Sequence, residues 1–227
     1  TYPGRADHEA HFCVLLKAFA DARYMTVEGA PLFVVYQPRE LPDARRTTDL
    51  WRELAVKAGL PGLHLVAVAQ GEDPWDPREL GFDALAVSHQ TKISLLLSED
   101  YIDALARRVR AAYRILRRRP VHVYRYEDAL AHFLADAPAH TMRYPCVIPG
   151  WDNTPRSGGR GVVLHGATPA LFGRHVRAAV RQVAGYGAER RIVFVKSWNE
   201  WAEGNSLEPD ERWGRGFLEA LRETMVA

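Results

Sequence analysis

Residues 197–205 read Ser-Trp-Asn-Glu-Trp-Ala-Glu-Gly-Asn. Glu200 and Glu203 stand three positions apart, a spacing that brings two side chains to one side of a turn or short helix. Paired carboxylates divide acid and base roles when their environments push them apart. Trp198 and Trp201 offer flat apolar faces suited to the C–H faces of sugar rings. Asn199 and Asn205 offer amides for hydroxyls. The plain alternative is a tryptophan-rich turn whose carboxylates pair with arginines.

A second segment, Pro149-Gly-Trp-Asp-Asn-Thr-Pro-Arg156, also follows a short apolar run. Gly and Pro shape the loop, and Trp151, Asp152, Asn153 and Arg156 are candidate substrate contacts. The competing reading is a rigid turn in which Asp152 caps a backbone. The loop continues into Ser157-Gly-Gly-Arg-Gly161, a loose match to a phosphate cradle that lacks both a Gly-x-Gly-x-x-Gly helix start and a Walker-type lysine. His8 and His11 are three apart, where zinc-protease histidines are four apart. No nucleophile elbow is present. Tyr36, Gln37, Pro38 and Arg39 follow an apolar run and are placed to line a cleft, with Tyr36 a further candidate substrate contact. His122 and Tyr124 read as packing.

The elements that must position these residues alternate. Helical patterns cover Asp7–Ala20, Thr48–Ala58 and Glu127–Leu134. A longer arginine-rich helix runs from Ser98 to Arg119. Thr168-Pro169 opens a helix that Gly185 closes, as a cap followed by proline should. A final helix covers Trp213–Val226. Between them lie apolar runs at 31–36, 63–68, 84–87, 121–124, 146–148 and 192–195, which read as strands buried on both faces. Strands alternating with helices predict an α/β protein with a parallel sheet. In such folds the active site lies at the C-terminal strand ends, which is where both chemical segments fall.

The 227 residues suit one large domain or two small ones. Hydrophobic residues make up 47%, enough to bury a core and to exclude intrinsic disorder. No apolar run approaches the roughly 18 residues of a membrane-spanning helix. The net charge of +2 argues against nucleic acid as the main partner. No secretion signal is visible, so the expected compartment is cytoplasmic. Cys13 and Cys146 lie outside any metal-type spacing, and both read as small buried thiols. The chain begins on Thr1, and Thr1–Asp7 reads as the middle of a loop, which predicts a fragment or a processed protein.

The stretch Phe194-Val-Lys-Ser-Trp-Asn-Glu-Trp-Ala-Glu-Gly-Asn-Ser-Leu-Glu-Pro-Asp210 resembles the signature of glycoside hydrolase family 99-like proteins, the WbsX type. Pro149–Arg156 resembles that family too, as does Phe19–Tyr36 with Asp21-Ala-Arg-Tyr24 and Glu28-Gly-Ala-Pro-Leu-Phe33. The resemblance covers essentially the whole chain. It implies a (β/α)8 TIM-type barrel of which this chain is the C-terminal part, with the N-terminal strands missing. It implies bacterial surface-polysaccharide metabolism such as O-antigen, lipopolysaccharide or capsule, an oligo- or polysaccharide substrate, and no metal or other cofactor. In the family 99 enzymes, which cut α-mannosidic bonds with retention, the matching motif holds both catalytic carboxylates. Carried over, Glu200 deprotonates the sugar 2-hydroxyl to give a 1,2-anhydro sugar, and Glu203 protonates the leaving oxygen and later activates water. This differs from direct carboxylate attack. Ala202 stands where those hydrolases tend to carry His. Transfer instead of hydrolysis, or glycan binding without catalysis, are the alternatives.

Overall fold

The computed structural model describes residues 4–70, 75–88, 112–113, 116, 122–133 and 141–226. Most of the expected arginine-rich helix, and the expected ends Val121 and Leu134, lie outside the described residues. The fold is mixed α/β, and the chain divides into two compact units.

The first unit takes the described residues within 1–87, 137–144 and 186–191. It contains α1 (Arg5–Phe19), β1 (Thr26–Val27), β2 (Ala30–Val35), α2 (Ala44–Lys57), β3 (His64–Gln70) and all but the last residue of β4 (Ala84–Ser88). The strands follow one another in the order β1-β2-β3-β4. β2 and β3 pair in parallel, Leu32 opposite His64 through Val35 opposite Ala67. Leu65, Val66 and Ala67 are consecutive and all fully buried, as a strand covered on both faces requires. Phe12, Phe19, Trp51, Leu63, Phe82 and Leu85 close the core around them.

Two local results differ from the sequence expectation. Helix α2 starts four residues early, because Asp43 caps it by accepting from the Arg46 N–H at 3.0 Å. Cys13 is exposed, since α1 turns Phe12 and Phe19 inward and Cys13 falls on the other face. Joining β1 to β2 is a two-residue turn, Glu28-Gly29, with φ of 53° and 78°, the left-handed pair that tight hairpins use. Arg190 grips the Glu28 carboxylate with two bonds of 2.8 Å, and this pairing holds that carboxyl below its ordinary range.

The second unit takes the described residues within 88–136, 145–185 and 192–227. It contains β5 (His122–Arg125), α3 (Tyr126–Phe133), the end of β6 (Arg143–Val147), β7 (Trp151–Asp152), a one-turn α4 (Thr154–Ser157), β8 (Val162–His165), α5 (Pro169–Val183), β9 (Phe194–Val195), β10 (Asn199–Glu200), β11 (Asn205–Ser206) and α6 (Gly216–Val226). β6 and β9 pair in parallel through Cys146–Phe194 and Val147–Val195. A separate small sheet has the order β5-β8-β7.

Helix α5 forms as its sequence predicts. Thr168 Oγ1 accepts from the Leu171 N–H at 3.2 Å, and Phe172, Val176, Ala179 and Val183 form the buried face. β9 is shorter than the expected 192–195, and β8 was not expected, hidden behind the glycine run. Helix α6 starts at Gly216 rather than Trp213, because Asp210 Oδ1 accepts from the N–H groups of Arg212 and Trp213 and folds them into a turn. Cys146 is buried, and burial pushes its thiol up to about 11.

Candidate active site

Directly after β9 the chain makes a tight hairpin. Asn199 pairs with Ser206 and Glu200 with Asn205. Between them Trp201–Glu203 form one turn of 3₁₀ helix, closed by Gly204 at φ 56°. Polar side chains lock the hairpin from below. Asn205 is fully buried, and its Oδ1 accepts from the Ser197 N–H at 3.1 Å. The Ser197 hydroxyl donates to the Asn205 carbonyl at 2.9 Å and accepts from the Glu200 N–H at 3.1 Å. The Lys196–Ser197 peptide bond is cis.

The loop after β6 forms the facing wall. Asp152 Oδ1 accepts from both the N–H (2.9 Å) and the hydroxyl (2.6 Å) of Thr154. Asn153 Oδ1 accepts from the Val162 N–H at 2.7 Å. These bonds aim α4, which carries Arg156. A Cβ on Gly161 would stand 2.7 Å from the Thr154 methyl group, so this glycine serves close packing within the loop.

The two walls meet in a charge cluster. Arg156 Nη2 donates to Glu200 Oε1 at 3.0 Å, and its Nη1 donates to Glu203 Oε1 at 3.1 Å. One guanidinium therefore spans both carboxylates. Lys196 Nζ stands 3.5 Å from the second oxygen, Oε2, of Glu203, and 4.7 Å from the centre of the Trp151 ring, a cation–π contact. Glu203 is held at both oxygens and only 14% exposed, while Arg156 is 56% exposed.

The expected site residues thus take different places. Glu200, Glu203 and Arg156 come together. Trp198 and Trp201 are 54% and 53% exposed, and Trp201 Nε1 donates to Glu208 Oε2 at 2.8 Å, which fixes the indole. Asn199 is exposed beside them. Trp151 is buried among Tyr126, Phe133, Ile148 and Leu164, and with Asn205 it lies beneath the site. Asp152 and Asn153 spend an oxygen each on the backbone. Tyr36 belongs to the first unit. Lys196, Ser197, Gly204 and Glu208 were not anticipated. Lys196 could have been found as one of only four lysines, standing just after a strand.

Outside this cluster, His8 and His11 pack edge-on against Trp51. His122 and Tyr124 stack on one another. Among the described residues no group of three His, Cys, Asp or Glu side chains has metal-binding geometry, and no helix is long and apolar enough to cross a membrane.

The sequence profile described as Glycosyltransferase WbsX matches residues 1–221. The chain belongs to the WbsX family. It is 33% identical to a protein described as uncharacterized protein WxcX in each of two strains of Xanthomonas campestris pv. campestris. The matches cover 97% of this chain and 30% of either relative, so this WbsX chain spans less than a third of their length. Among solved structures, a glycoside hydrolase-like protein matches with a TM-score of 0.59 at 15% identity. That match covers 96% of this chain and 60% of the other, and it establishes a likeness of fold.

Proposed function

We propose that this chain carries the catalytic carboxylates of a glycan-active enzyme of bacterial surface-polysaccharide metabolism, one that cleaves a glycosidic bond with retention. The carrying observation is the placement of Glu200 and Glu203 on one turn after β9, beside the exposed Trp198 and Trp201; the arginine pairing that a purely structural turn would also make is present in Arg156. Two carboxylates on one rigid turn are gathered at one point, at the end of a parallel strand, beside two exposed indoles. The family membership and the glycoside hydrolase-like fold support this reading. In it the whole domain is a (β/α)8 barrel and this chain is its C-terminal part.

Glu200 takes the proton of the sugar 2-hydroxyl, whose oxygen attacks C1. The bond from C1 to the leaving oxygen breaks, and Glu203 in its acid form gives that oxygen a proton. The product is a 1,2-anhydro sugar. Glu203 then takes a proton from water, the water oxygen attacks C1, the C1–O2 bond breaks, and Glu200 returns its proton to O2. Two inversions give net retention. Arg156 must release the carboxylates as substrate enters, which its exposed position allows.

The test uses the whole gene product and glycans from the producing bacterium. Glu203→Gln and Glu200→Gln each abolish release of reducing sugar, and proton NMR of the wild-type reaction shows the retained anomer first. Unchanged release in either variant refutes the reading. The family's name, Glycosyltransferase WbsX, favours a second reading, sugar transfer from a glycan donor through the same carboxylates. Appearance of a longer glycan in place of free reducing sugar distinguishes it.

A further inference from the structure

The first unit holds a cleft of about 240 Å³, bounded by Tyr36, Gln37, Pro38, Arg39, Glu40, Val68 and Trp75. We propose that it is a sugar-binding subsite for a single pyranose ring, with Tyr36 as its stacking platform and Glu40 and Gln37 as its hydroxyl partners. The ligand class rests on the glycan reading above; the site itself does not.

Four observations carry it. The cleft opens where β2 and β3 end, and these strands run in parallel, so it lies at the end of the sheet where α/β proteins bind ligands. Tyr36, immediately after β2, leaves 63% of its surface exposed. A tyrosine kept in water at a strand end offers a flat apolar face with a polar tip. Val68 and Trp75 continue the apolar wall.

The polar side is equally specific. Gln37 Nε2 donates to Glu40 Oε1 at 3.1 Å, which fixes both side chains on one turn, Pro38–Glu40. The amide oxygen of Gln37 and the second carboxylate oxygen of Glu40 are then set to accept from adjacent hydroxyls. Arg39 also lines the cleft and has a partner of its own. The volume falls below the roughly 300–1,000 Å³ of pockets that take drug-sized ligands. An apolar face, paired acceptors and room for one ring describe a sugar.

The test titrates the protein with methyl α-mannoside, methyl β-glucoside, methyl β-galactoside and methyl N-acetyl-β-glucosaminide, followed by saturation-transfer NMR. At least one binds through its ring protons. Tyr36→Ala and Glu40→Gln each weaken it about tenfold, the size of one aromatic or charge-assisted contact. Both residues are exposed, so neither variant threatens the core. Equal affinity in Tyr36→Ala and Glu40→Gln, or no binding by any of the four glycosides, overturns the proposal. If that happens while Glu203→Gln still abolishes glycan cleavage, the catalytic reading stands and only the cleft falls. If the cleft binds sugar and Glu203→Gln cleaves normally, the reverse holds.

Discussion

Gly150 and Gly204 touch across the candidate active site: a Cβ on Gly150 would stand 2.9 Å from the Gly204 carbonyl oxygen. The atom in the way is backbone and cannot swing aside, and Gly204 itself needs its left-handed φ. Gly150→Ala should cost about 1–3 kcal/mol of stability, the usual penalty of overpacking. It should also displace the turn bearing Glu200 and Glu203. Urea unfolding checks the first effect and loss of turnover the second. A variant as stable and active as the wild type would show that the walls yield.

Arg156→Lys separates charge from geometry. A guanidinium can fork to two carboxylates, whereas an ammonium is a single point charge. Half-exposed ion pairs add less than about 1 kcal/mol, so the melting temperature should move little. Turnover should fall about tenfold or more, because an ammonium cannot hold both carboxylates in place until substrate enters and displaces it. Thermal melts and initial rates measure both, and a large stability loss with full activity would contradict the assignment.

His175 predicts a pH dependence. It is buried, with Nδ1 3.2 Å from the Tyr126 hydroxyl and its ring stacked on Phe133, and burial pushes its imidazole down to about 4. As pH falls through about 6.5, the unfolded chain takes up the proton first. Stability from this group is therefore complete above about 6.5, declines below it, and levels off near 4. The full span is about 3 kcal/mol. Denaturant midpoints at pH 7.5 and 5 should differ in the wild type and less so in His175→Gln.

The two cysteines should separate in thiol chemistry. Cys13 is exposed, while the Cys146 thiol is buried and pushed up. A thiol-reactive disulfide reagent should titrate one group promptly in the native protein and a second only after denaturation. Loss of the prompt reaction in Cys13→Ser confirms which is which.

Much of this fold could be read from apolar runs and caps. β2, β3 and α5 follow directly from Pro31–Tyr36, Leu63–Val68 and Thr168-Pro169, because buried parallel strands and capped amphipathic helices leave long patterns. β1, β7, β10 and β11 are two residues each, too short to leave any. β8 follows a glycine run in which Gly161 packs closely against Thr154, a neighbour that only the fold supplies. The grouping of Glu200 with Glu203 was legible from their spacing. That one arginine spans them was not, because Arg156 lies 44 positions from Glu200. Nor could composition separate Trp151, under the site, from Trp198 and Trp201 on its surface, since all three follow strand ends.

The grip of Arg190 on Glu28 bears on the order of assembly. The two residues are 162 positions apart, and the first unit draws its last piece from residues 186–191. A ribosome adding about 5–20 residues per second makes that piece roughly 10–30 s after the hairpin emerges. For that interval the Glu28-Gly29 turn exists without its clamp. The first unit is thus begun early in translation and finished late, and nascent chains stalled before Arg190 should be cleaved by protease near this turn when completed chains are not.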